Sequence, residues 1–501
     1  MSGRILAGPF LGFEGDIAYT VCFLSSKDAV DPQVVVDDQP CVTARVQDTP
    51  SGVFWRAEIV VQVVHPGHFH RYHIQSAGAM LRTPQDRSEW EFWVPGDSEE
   101  PRIAYASCNG FSSGDAKTKV DEPYGMWKRL VEDHRRAPFT LLIMGGDQLY
   151  ADELWHSQRR APSVVAWSEL ERDEKITAPA SPRLQRELDR FYEALYIHRW
   201  SQEDIAWMLA SVPSLMMWDD HDIFDGWGSY PTDLQSCPVY QAIFAAARRY
   251  FELFQLRSTK NTTLLNPAGG HYSFAVQCRA YGILGLDTRS NRTETVVMSD
   301  QNWSDVKRWL GSASGTVRTL LVLSSIPVVY RDFRTTEAAL DITPWQEELT
   351  DDVRDRWRSR YHEGERMKLI MNLLDFKARS GSDLVKRVLL AGDVHVGCLA
   401  VIRDRRPSGP QRLIYEVVSS GIVHPAPTWS EWLGILASSN DTPESLEDGR
   451  ITTELLEPYG SGIWLRTRNY ASLQEGSDGK FWVNWVCENN LAPVYPIEGT
   501  A

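Results

Sequence analysis

The chain has 501 residues, of which 43% are hydrophobic and 24% charged, so it is long enough for several layers of structure around a large core. Its 67 acidic residues exceed its 52 basic residues and give a net charge of −15. A field of that sign repels phosphate polyanions and excludes long nucleic acid as an expected partner, whereas a small phosphate ester remains compatible with local positive charge.

The first 97 residues are predicted to form a β-sandwich-like domain. Gly52–Val61 and Glu89–Val94 are rich in aromatic and β-branched side chains, and turn residues separate such segments. Pro95–Pro101 then interrupts the pattern as a linker. We therefore expect an N-terminal β domain at residues 1–97 and a second domain at residues 98–501.

From residue 102 onwards, the sequence pattern predicts apolar strands that alternate with helices. This alternation predicts an α/β fold in which the loops after the strands carry the chemistry. The predicted strands are Arg102–Cys108, Phe139–Gly145, Pro213–Trp218, Tyr281–Asp287, Thr319–Ser324, Val388–Ala391 and Leu413–Ser419. The predicted helices are Leu184–Leu209, Val239–Leu256 and Glu363–Arg379, with Gly381 as the stop signal of the last one.

Two polar stretches, Ala161–Pro182 and Arg331–Arg360, are predicted insertions over this core. They either line a cleft or decorate the surface. The Trp-rich tail from Ala426, with a strand at Lys480–Val486, is predicted to dock onto the second domain rather than form a third one.

The cysteines and the N-terminal residues indicate the cellular compartment in which we expect the protein. The seven cysteines are scattered and form no Cys-x-x-Cys pair, which is typical of reduced thiols rather than of a disulfide framework. Residues Met1–Phe10 contain no apolar export signal, and no stretch approaches the roughly 18 apolar residues of a membrane span. We expect a cytoplasmic protein without a membrane partner; the oligomeric state is left open.

Polar clusters follow four of the predicted strands. Asp147 comes after two glycines that allow a sharp turn, and Tyr150 lies three residues further on. A carboxylate at a strand end can bridge two cations, and a phenolate binds a hard, highly charged ion. The alternative is a helix-capping aspartate followed by a core tyrosine.

The run Asp219-Asp220-His221-Asp222 follows the third of these strands. Three carboxylates around one imidazole repel each other unless a cation neutralises them, so we favour a metal site over a solvated acidic turn. Asp393 and His395 end a further strand two residues apart, a spacing that places both on the same side of an extended segment. The alternative for this pair alone is a strand-edge aspartate and a surface histidine. Cys108 is a possible thiolate ligand at a strand end, although a buried cysteine usually needs no functional explanation.

Taken in order, Ser107-Cys108, Gly146-Asp147-x-x-Tyr150, Asp219-Asp220-His221-Asp222 and Gly392-Asp393-Val394-His395 resemble the alkaline phosphatase D (PhoD-like) branch of metallophosphatases. That branch is similar to the purple acid phosphatases, and the resemblance covers most of residues 100–425. It implies a four-layer α/β/β/α sandwich preceded by a small β domain, and the hydrolysis of phosphoric mono- or diesters.

The resemblance also implies roles for single residues. Cys108, Asp147, Tyr150 and His395 would hold a ferric ion, and Asp147 would bridge to a second ion completed by Asp220 and Asp393. Calcium, manganese or magnesium suits that second, oxygen-rich site better than zinc. His221 corresponds to the histidine that contacts the phosphate or the leaving group.

Arg289 lies in an Arg-containing stretch that resembles the same family. It either clamps a phosphate oxygen or pairs with a core aspartate. The family's purple acid relatives place a further histidine after the fifth core strand, where this chain has Ser324–Val328 without one. Two rival functions remain: a scaffold that keeps the fold without catalysis, and a two-metal hydrolase of carboxyl esters or amides.

Overall fold

Two large β-sheets form the centre of the molecule in the computed structural model, which describes residues 3–313, 317–333, 355–377, 384–406 and 411–500. The strands are β1 Ile5–Gly15, β2 Ala18–Ser26, β3 Gln33–Val36, β4 Gln39–Pro40, β5 Thr43–Asp48, β6 Gly52–Val60, β7 His68–Ser76, β8 Ala79–Met80, β9 Glu89–Val94, β10 Ile103–Ala106, β11 Leu141–Gly145, β12 Ser214–Met217, β13 Phe274–Cys278, β14 Tyr281–Gly285, β15 Thr319–Ser324, β16 Lys386–Ala391, β17 Cys398–Asp404, β18 Arg412–Val418, β19 Glu444–Leu446, β20 Ile451–Leu456, β21 Asn469–Glu475, β22 Phe481–Cys487 and β23 Val494–Ile497.

The helices flank these sheets. Those of the described residues are α1 Gly114–Thr118, α2 Gly125–Arg136, α3 Pro162–Ser168, α4 Arg172–Thr177, α5 Pro182–Trp200, α6 Glu203–Ser211, α7 Thr232–Gln235, α8 Pro238–Phe254, α9 Asp300–Ser312, α10 Glu363–Leu374 and α11 Trp429–Ser438. Short 3-10 helices span Ala151–Trp155, Asp220–Asp222 and Glu447–Gly449. Within the described part of the chain, no helix is both long and apolar enough to cross a membrane.

The first sheet has ten strands in the order β23-β22-β21-β10-β11-β12-β1-β2-β6-β5. Strands β10, β11 and β12 run parallel, and all of their residues are buried, as expected for a parallel sheet covered on both faces. The register pairs Ala106 with Met144 and Gly145 with Met217. The loops after these three strands therefore emerge at one edge of the sheet.

The second sheet has eight strands in the order β13-β14-β15-β16-β18-β17-β20-β19, and β14, β15, β16 and β18 run parallel. Successive side chains of β15 point in opposite directions. Leu321 and Leu323 join the core between the two sheets, whereas Leu320 and Val322 join a second core with α9 and α10. This alternation produces the outer helical layer on the second sheet.

On the other side, α5, α6 and α8 pack their apolar faces into the core of the first sheet. Helix, sheet, sheet and helix thus form four layers, and the predicted α/β sandwich is confirmed. All seven predicted strands are present, with ends displaced by at most two residues.

The helical stretch predicted for Leu184–Leu209 is present but forms two helices. α5 ends at Trp200, Gln202 is extended with ψ 137°, and α6 begins at Glu203. The break occurs because α5 and α6 bury different faces: Trp200 is fully buried at the end of one, while the other packs against β1 and β9. The helix predicted for Glu363–Arg379 ends at Leu374, and its stop signal Gly381 lies outside the described residues.

The N-terminal region is all-β, but it contributes to two sheets. β1, β2, β5 and β6 extend the first sheet through the parallel pair β12–β1, in which Gly12 is opposite Ser214. β3, β4, β7, β8 and β9 form a separate five-stranded sheet. The first sheet therefore crosses the boundary expected at residue 97, and the division into domains 1–97 and 98–501 stays a prediction.

The C-terminal tail completes the opposite half of the first sheet. β21 pairs antiparallel with β10, and β22 and β23 continue outwards from it. Of the predicted insertions, Ala161–Pro182 contains α3 and α4, and α3 buries Val164 and Trp167. Most of the other insertion, residues 334–354, lies outside the described residues.

Candidate metal centre

The candidate ligands lie in tight loops at the carboxyl ends of strands from both sheets. Cys108 has a φ angle of 54°, Asp147 of 54°, Asp393 of 69° and His395 of 53°. Residues other than glycine rarely adopt positive φ, and such strain concentrates at functional sites where the surrounding structure enforces it. The amide of Cys108 donates to the carbonyl of Gly146 at 3.2 Å, which ties the first two loops together.

One group of ligands surrounds the thiol of Cys108. Its Sγ lies 3.5 Å from Asp147 Oδ2, and the hydroxyl of Tyr150 lies 3.4 Å from the same oxygen and 3.2 Å from His395 Nε2. One ligand atom each of Cys108, Asp147 and His395 lies within 4.8 Å of the others. The thiol, carboxyl, phenol and imidazole groups of the four residues thus lie together at one point. Their role as the ligands of one ion stays a prediction.

A second group consists of carboxylates and shares Asp147 with the first. Oxygens of Asp147, Asp219, Asp220 and Asp393 lie within 4.8 Å of one another. Three buried oxygens, Asp147 Oδ1, Asp219 Oδ2 and Asp220 Oδ1, accept no hydrogen bond from any described residue. Of these, Asp220 Oδ1 lies 3.4 Å from Arg289 Nη2, an ion pair without a hydrogen bond. Buried carboxylate oxygens that accept no hydrogen bond are costly, so both the donor set and these atoms fit one or two bound cations.

Without a cation, this cluster would retain protons. Burial raises the pKa of Asp147 well above its usual value; His221 opposes the rise, and neighbouring carboxylates add to it. Burial likewise raises the pKa of Asp393, with Asp219 and Asp220 contributing and the charge of Arg356 acting in the opposite direction. Positive charge at the centre of the cluster would reverse these shifts.

The imidazoles differ in their surroundings. Burial lowers the pKa of His395 well below its usual value, which keeps the ring neutral and able to act as a ligand. Its ring stacks on that of His424 with centroids 3.5 Å apart. Its backbone amide donates to Ser420 Oγ at 2.8 Å, and that hydroxyl also lies 3.1 Å from Cys108 Sγ. Ser420 therefore links two candidate ligands.

His221 is held by a carboxylate that sequence reasoning missed. Its Nδ1 lies 2.7 Å from Asp152 Oδ2, and the amide of Asp225 donates to Asp152 Oδ1 at 2.8 Å. Burial alone would lower the pKa of His221, but Asp152 and the nearby carboxylates raise it well above its usual value. A nitrogen of His221 also groups with Asp147 and Asp220, so this ring lies at the edge of the cluster.

Arg289 is fully buried behind the carboxylates, and its donors are occupied. Nη1 and Nη2 donate to the two oxygens of Asp355 at 2.8 and 2.6 Å, Nη1 also donates to the carbonyl of Trp227, and Nε donates to Asp219. This geometry supports the second interpretation of Arg289, an arginine paired with core aspartates. Its role as a phosphate clamp stays a prediction.

The buried carboxylate of Asp222 connects two of the loops that carry candidate ligands. Its carboxylate accepts hydrogen bonds from the backbone amides of Gln148, Leu149 and Asp219 at 2.9–3.2 Å and from the side chain of Gln255 at 2.9 Å. The loop that carries Asp147 is thereby fixed to the loop that carries Asp220 and His221. Asp222, the third acidic residue of the motif Asp219-Asp220-His221-Asp222, thus supports the loops and is not an exposed ligand.

A cleft with a cavity volume of about 220 Å³ opens onto the ligands. Its ionisable lining residues are Asp220, His221, Asp225, Tyr330, Asp355, Arg356, Asp393 and His395. Phe333, Pro427 and Ile435 are among its apolar lining residues. Three larger cavities, of about 770, 640 and 380 Å³, lie elsewhere and contain none of the candidate ligands. Helices α3 and α4 do not line the cleft.

Sequence reasoning named seven residues that the structure brings together: Cys108, Asp147, Tyr150, Asp220, His221, Asp393 and His395. It missed Asp152, Asp355, Ser420 and His424. Ser420 and His424 follow β18, so the rule that chemistry lies after strands would have found them. Asp152 and Asp355 act through partners distant in sequence, and no local pattern marks them.

The histidines of the N-terminal region lie in another sheet. His70 Nδ1 lies 2.5 Å from Asp37 Oδ2, and the rings of His68 and His70 are 4.2 Å apart. Among the described residues, no group of three metal-binding side chains includes them.

A strand-end cluster of acidic, cysteine, tyrosine and histidine ligands between two packed sheets is the arrangement of a metallophosphatase. The chain belongs to the PhoD related phosphatase family, whose profile matches residues 82–344. A solved structure of PhoD has a TM-score of 0.60 and 15% identity and covers 99% of this chain and 89% of its own. The purple acid phosphatase PPD1 from seeds of yellow lupin (Lupinus luteus) has a TM-score of 0.52 and 11% identity over 99% of this chain and 74% of its own.

A relative from Saccharomyces cerevisiae, the uncharacterized protein YGR266W, is 25% identical over 421 residues. The alignment covers 68% of this chain and 59% of the yeast protein. The resemblance to the PhoD-like branch is confirmed, and the solved structures support the fold.

Proposed function

We propose that this protein hydrolyses small phosphoric esters at a dinuclear metal site. The observation that carries the proposal is the sharing of Asp147 between two groups of ligands, one with sulfur and nitrogen donors and one with oxygen donors only. A carboxylate common to two such groups is suited to bridging two unlike cations. Family membership in the PhoD related phosphatases supports the same reaction class.

The donor chemistry supports a ferric ion held by Cys108, Asp147, Tyr150 and His395. Asp147, Asp220 and Asp393 would hold calcium or another divalent cation, such as manganese, magnesium or zinc. The structure adds Asp219 as a further carboxylate beside the second group, although Arg289 already binds one of its oxygens. When bound, the cations supply charge neutralisation at the phosphoryl group and an activated water.

The protein's own residues then orient the ester and handle the proton. His221 borders the cleft, and Asp152 fixes its orientation through Nδ1. Nε2, which lies 3.8 Å from Asp225 Oδ1, is then the nitrogen that would face the substrate. A protonated His221 can donate to the departing oxygen of the ester. Phe333, Pro427 and Ile435 add apolar surface to the cleft, against which the organic part of the ester can pack.

The test compares metal content and turnover in Asp147→Asn and the unmodified protein. Both proteins are loaded with iron and calcium, and hydrolysis of a chromogenic phosphomonoester and phosphodiester is followed. We expect Asp147→Asn to lose metal and to lose turnover by about 100-fold or more, as for the loss of a principal ligand. Full activity with full metal content in this variant would contradict Asp147 as the shared ligand.

A buried carboxylate outside the cluster provides the matched control. Asp305 is buried and accepts hydrogen bonds from Asn266 and Gln301. Asp305→Asn should lower the unfolding temperature without changing the number of ions bound per chain. If the metallated unmodified protein hydrolyses neither ester, the non-catalytic scaffold becomes the better interpretation; cleavage of a carboxyl ester or amide instead would favour the other two-metal hydrolase.

A further inference from the structure

A histidine outside the predicted ligand set contacts the aromatic ligands of the candidate centre. The ring of His424 stacks on that of His395 with centroids 3.5 Å apart and an interplanar angle of 11°. It also lies nearly parallel to the ring of Tyr150, with centroids 5.6 Å apart and an angle of 26°. The hydroxyl of Tyr150 and Nε2 of His395 are themselves 3.2 Å apart. Three rings are thus packed together, and two of them carry candidate ligand atoms.

Both ring nitrogens of His424 are already hydrogen-bonded. Nδ1 lies 2.9 Å from the carbonyl oxygen of Pro425, which is an acceptor, so this nitrogen carries the proton and donates it. In the neutral ring, Nε2 then accepts from the hydroxyl of Ser112 at 3.0 Å. The side chain of His424 is buried and is not part of the cleft lining. Neither nitrogen is therefore available to a cation or to a substrate in the cleft.

Backbone hydrogen bonds fix His424 to the loop that carries Cys108. The amides of Val423 and His424 donate to the carbonyl of Cys108 at 3.3 and 3.1 Å. The turn before them requires Gly421, which has a φ angle of 84° and at which an added Cβ would lie 2.5 Å from the carbonyl oxygen of His424. The backbone of His424 is thus tied to that of a third candidate ligand.

We infer that His424 is a positioning residue that holds the imidazole of His395 and the phenol of Tyr150 in the arrangement in which both can bind one ion. This deepens the proposed function and rests on it. Packing against His424 restricts the rotation of both ligand rings, so less conformational entropy is lost when a cation binds. Residues that orient metal ligands without binding the metal typically contribute about 10- to 100-fold to metal affinity.

The test compares the unmodified protein with His424→Phe, which keeps a ring for stacking, and His424→Ala, which does not. Calorimetry measures the affinity of the metal-free proteins for zinc, a cation that binds cysteine and histidine. Visible absorption of the iron-loaded proteins reports on Tyr150, because charge transfer from a phenolate to a ferric ion produces a visible band. We expect His424→Ala to weaken the binding of one zinc ion per chain by about 10- to 100-fold and to shift or weaken the band. His424→Phe should retain most of the affinity.

His134→Ala is the matched control, because His134 is also buried and its ring contacts are Phe139 and Trp207. It should lower the unfolding temperature without changing the zinc affinity or the band. Unchanged zinc affinity and absorption in His424→Ala would overturn the inference. So would an equal loss of affinity in His424→Phe or in His134→Ala.

Turnover tests the proposed function separately. An unmodified protein that binds both ions but hydrolyses no ester contradicts that function, while the zinc affinities still decide the role of His424. If the unmodified protein lacks the visible band, the ferric assignment is wrong, and the zinc affinities again decide. An unmodified protein that binds neither ion overturns both proposals.

Discussion

At the scale of single residues, the contacts separate side chains that can touch a substrate from those that position them. His221 borders the cleft, whereas Asp152 reaches only the Nδ1 side of that ring and the backbone of Asp225. Carboxylate–imidazole pairs of this kind fix the tautomer and the orientation of a histidine. Asp152 is therefore a positioning residue.

Asp152→Asn should lower kcat by about 10- to 100-fold with little change in KM, because the contact with the substrate remains but the proton donor is poorly oriented. Steady-state kinetics at equal metal content checks this expectation. A loss of bound metal in Asp152→Asn would instead indicate that Asp152 supports the ligand cluster. Glu153→Gln, a neighbouring change at an exposed side chain, serves as the control.

Arg289 was a candidate for contact with the phosphate, but carboxylates enclose its guanidinium. In Arg289→Gln, Asp219 and Asp355 would lose their buried partner, and breaking a buried ion pair of this kind typically costs about 3–5 kcal/mol. We expect a large drop in unfolding temperature and weaker metal binding. If the variant keeps its stability and shows only a raised KM, the phosphate-clamp interpretation is the correct one.

At the scale of secondary-structure elements, a buried glutamate on β18 holds the loop after β15. The carboxylate of Glu416 accepts the backbone amides of Val328 and Val329 at 2.6 and 2.7 Å. This is the loop in which the purple acid phosphatases place a further histidine. In this protein, Glu416 holds the backbone of the loop by these hydrogen bonds. The chain then continues to Tyr330 and Phe333, which line the cleft.

Glu416 makes a pH-dependent contribution to stability. Burial raises its pKa to about 7, although the two amides and the charge of Arg366 favour the ionised form. The unfolded chain releases this proton near a pKa of about 4.3, so the native state binds more protons between the two values and loses stability as the pH rises through them.

Glu416→Gln removes this titration while it keeps one acceptor and one donor, as in the protonated acid. The unfolding temperature of the unmodified protein should therefore fall relative to that of Glu416→Gln between about pH 4 and pH 7. Thermal unfolding of both proteins across this pH range checks the sign of the difference in unfolding temperature. A difference that does not vary with pH would mean that Glu416 keeps the same protonation state in the folded and unfolded chain.

At the scale of the whole molecule, the first sheet joins the two ends of the chain. β1 is paired with β12 on one side of the central strands, and β21 is paired with β10 on the other. In addition, Arg257 Nη1 donates to the carbonyl of Ser214, and Tyr72 of the third sheet donates to the carbonyl of Ala210. The strands that carry the ligand loops are thus supported from both termini.

A chain that contains only residues 98–501 should fold poorly, because removal of β1 exposes the edge of β12 and the apolar surface of α6. Soluble yield and the cooperativity of thermal unfolding measure this effect. A soluble 98–501 fragment with the metal affinity of the full chain would support the division into two domains. Residues 1–97 alone provide the complementary measurement.

Some features followed from the sequence alone because their causes are local. Buried parallel strands consist of apolar runs, and polar residues directly after them end up at one edge of the sheet. This sufficed for the α/β class and for the seven strands. The four-layer sandwich and the joint ligand set of Cys108, Asp147, Tyr150, Asp220, Asp393 and His395 followed from the resemblance to the PhoD-like branch, and the structure brings these side chains together. The motifs indicated which side chains could bind metal, because each candidate ligand lies within a few residues of a strand end.

Only the tertiary structure decided the features that depend on partners distant in the chain. The pairing of Arg289 with Asp355, of His221 with Asp152 and of β1 with β12 joins segments between 66 and more than 200 residues apart. The break between α5 and α6 likewise depends on which surfaces each helix covers. Such choices are made by burial and charge compensation in the assembled core, and no local pattern in the sequence encodes them.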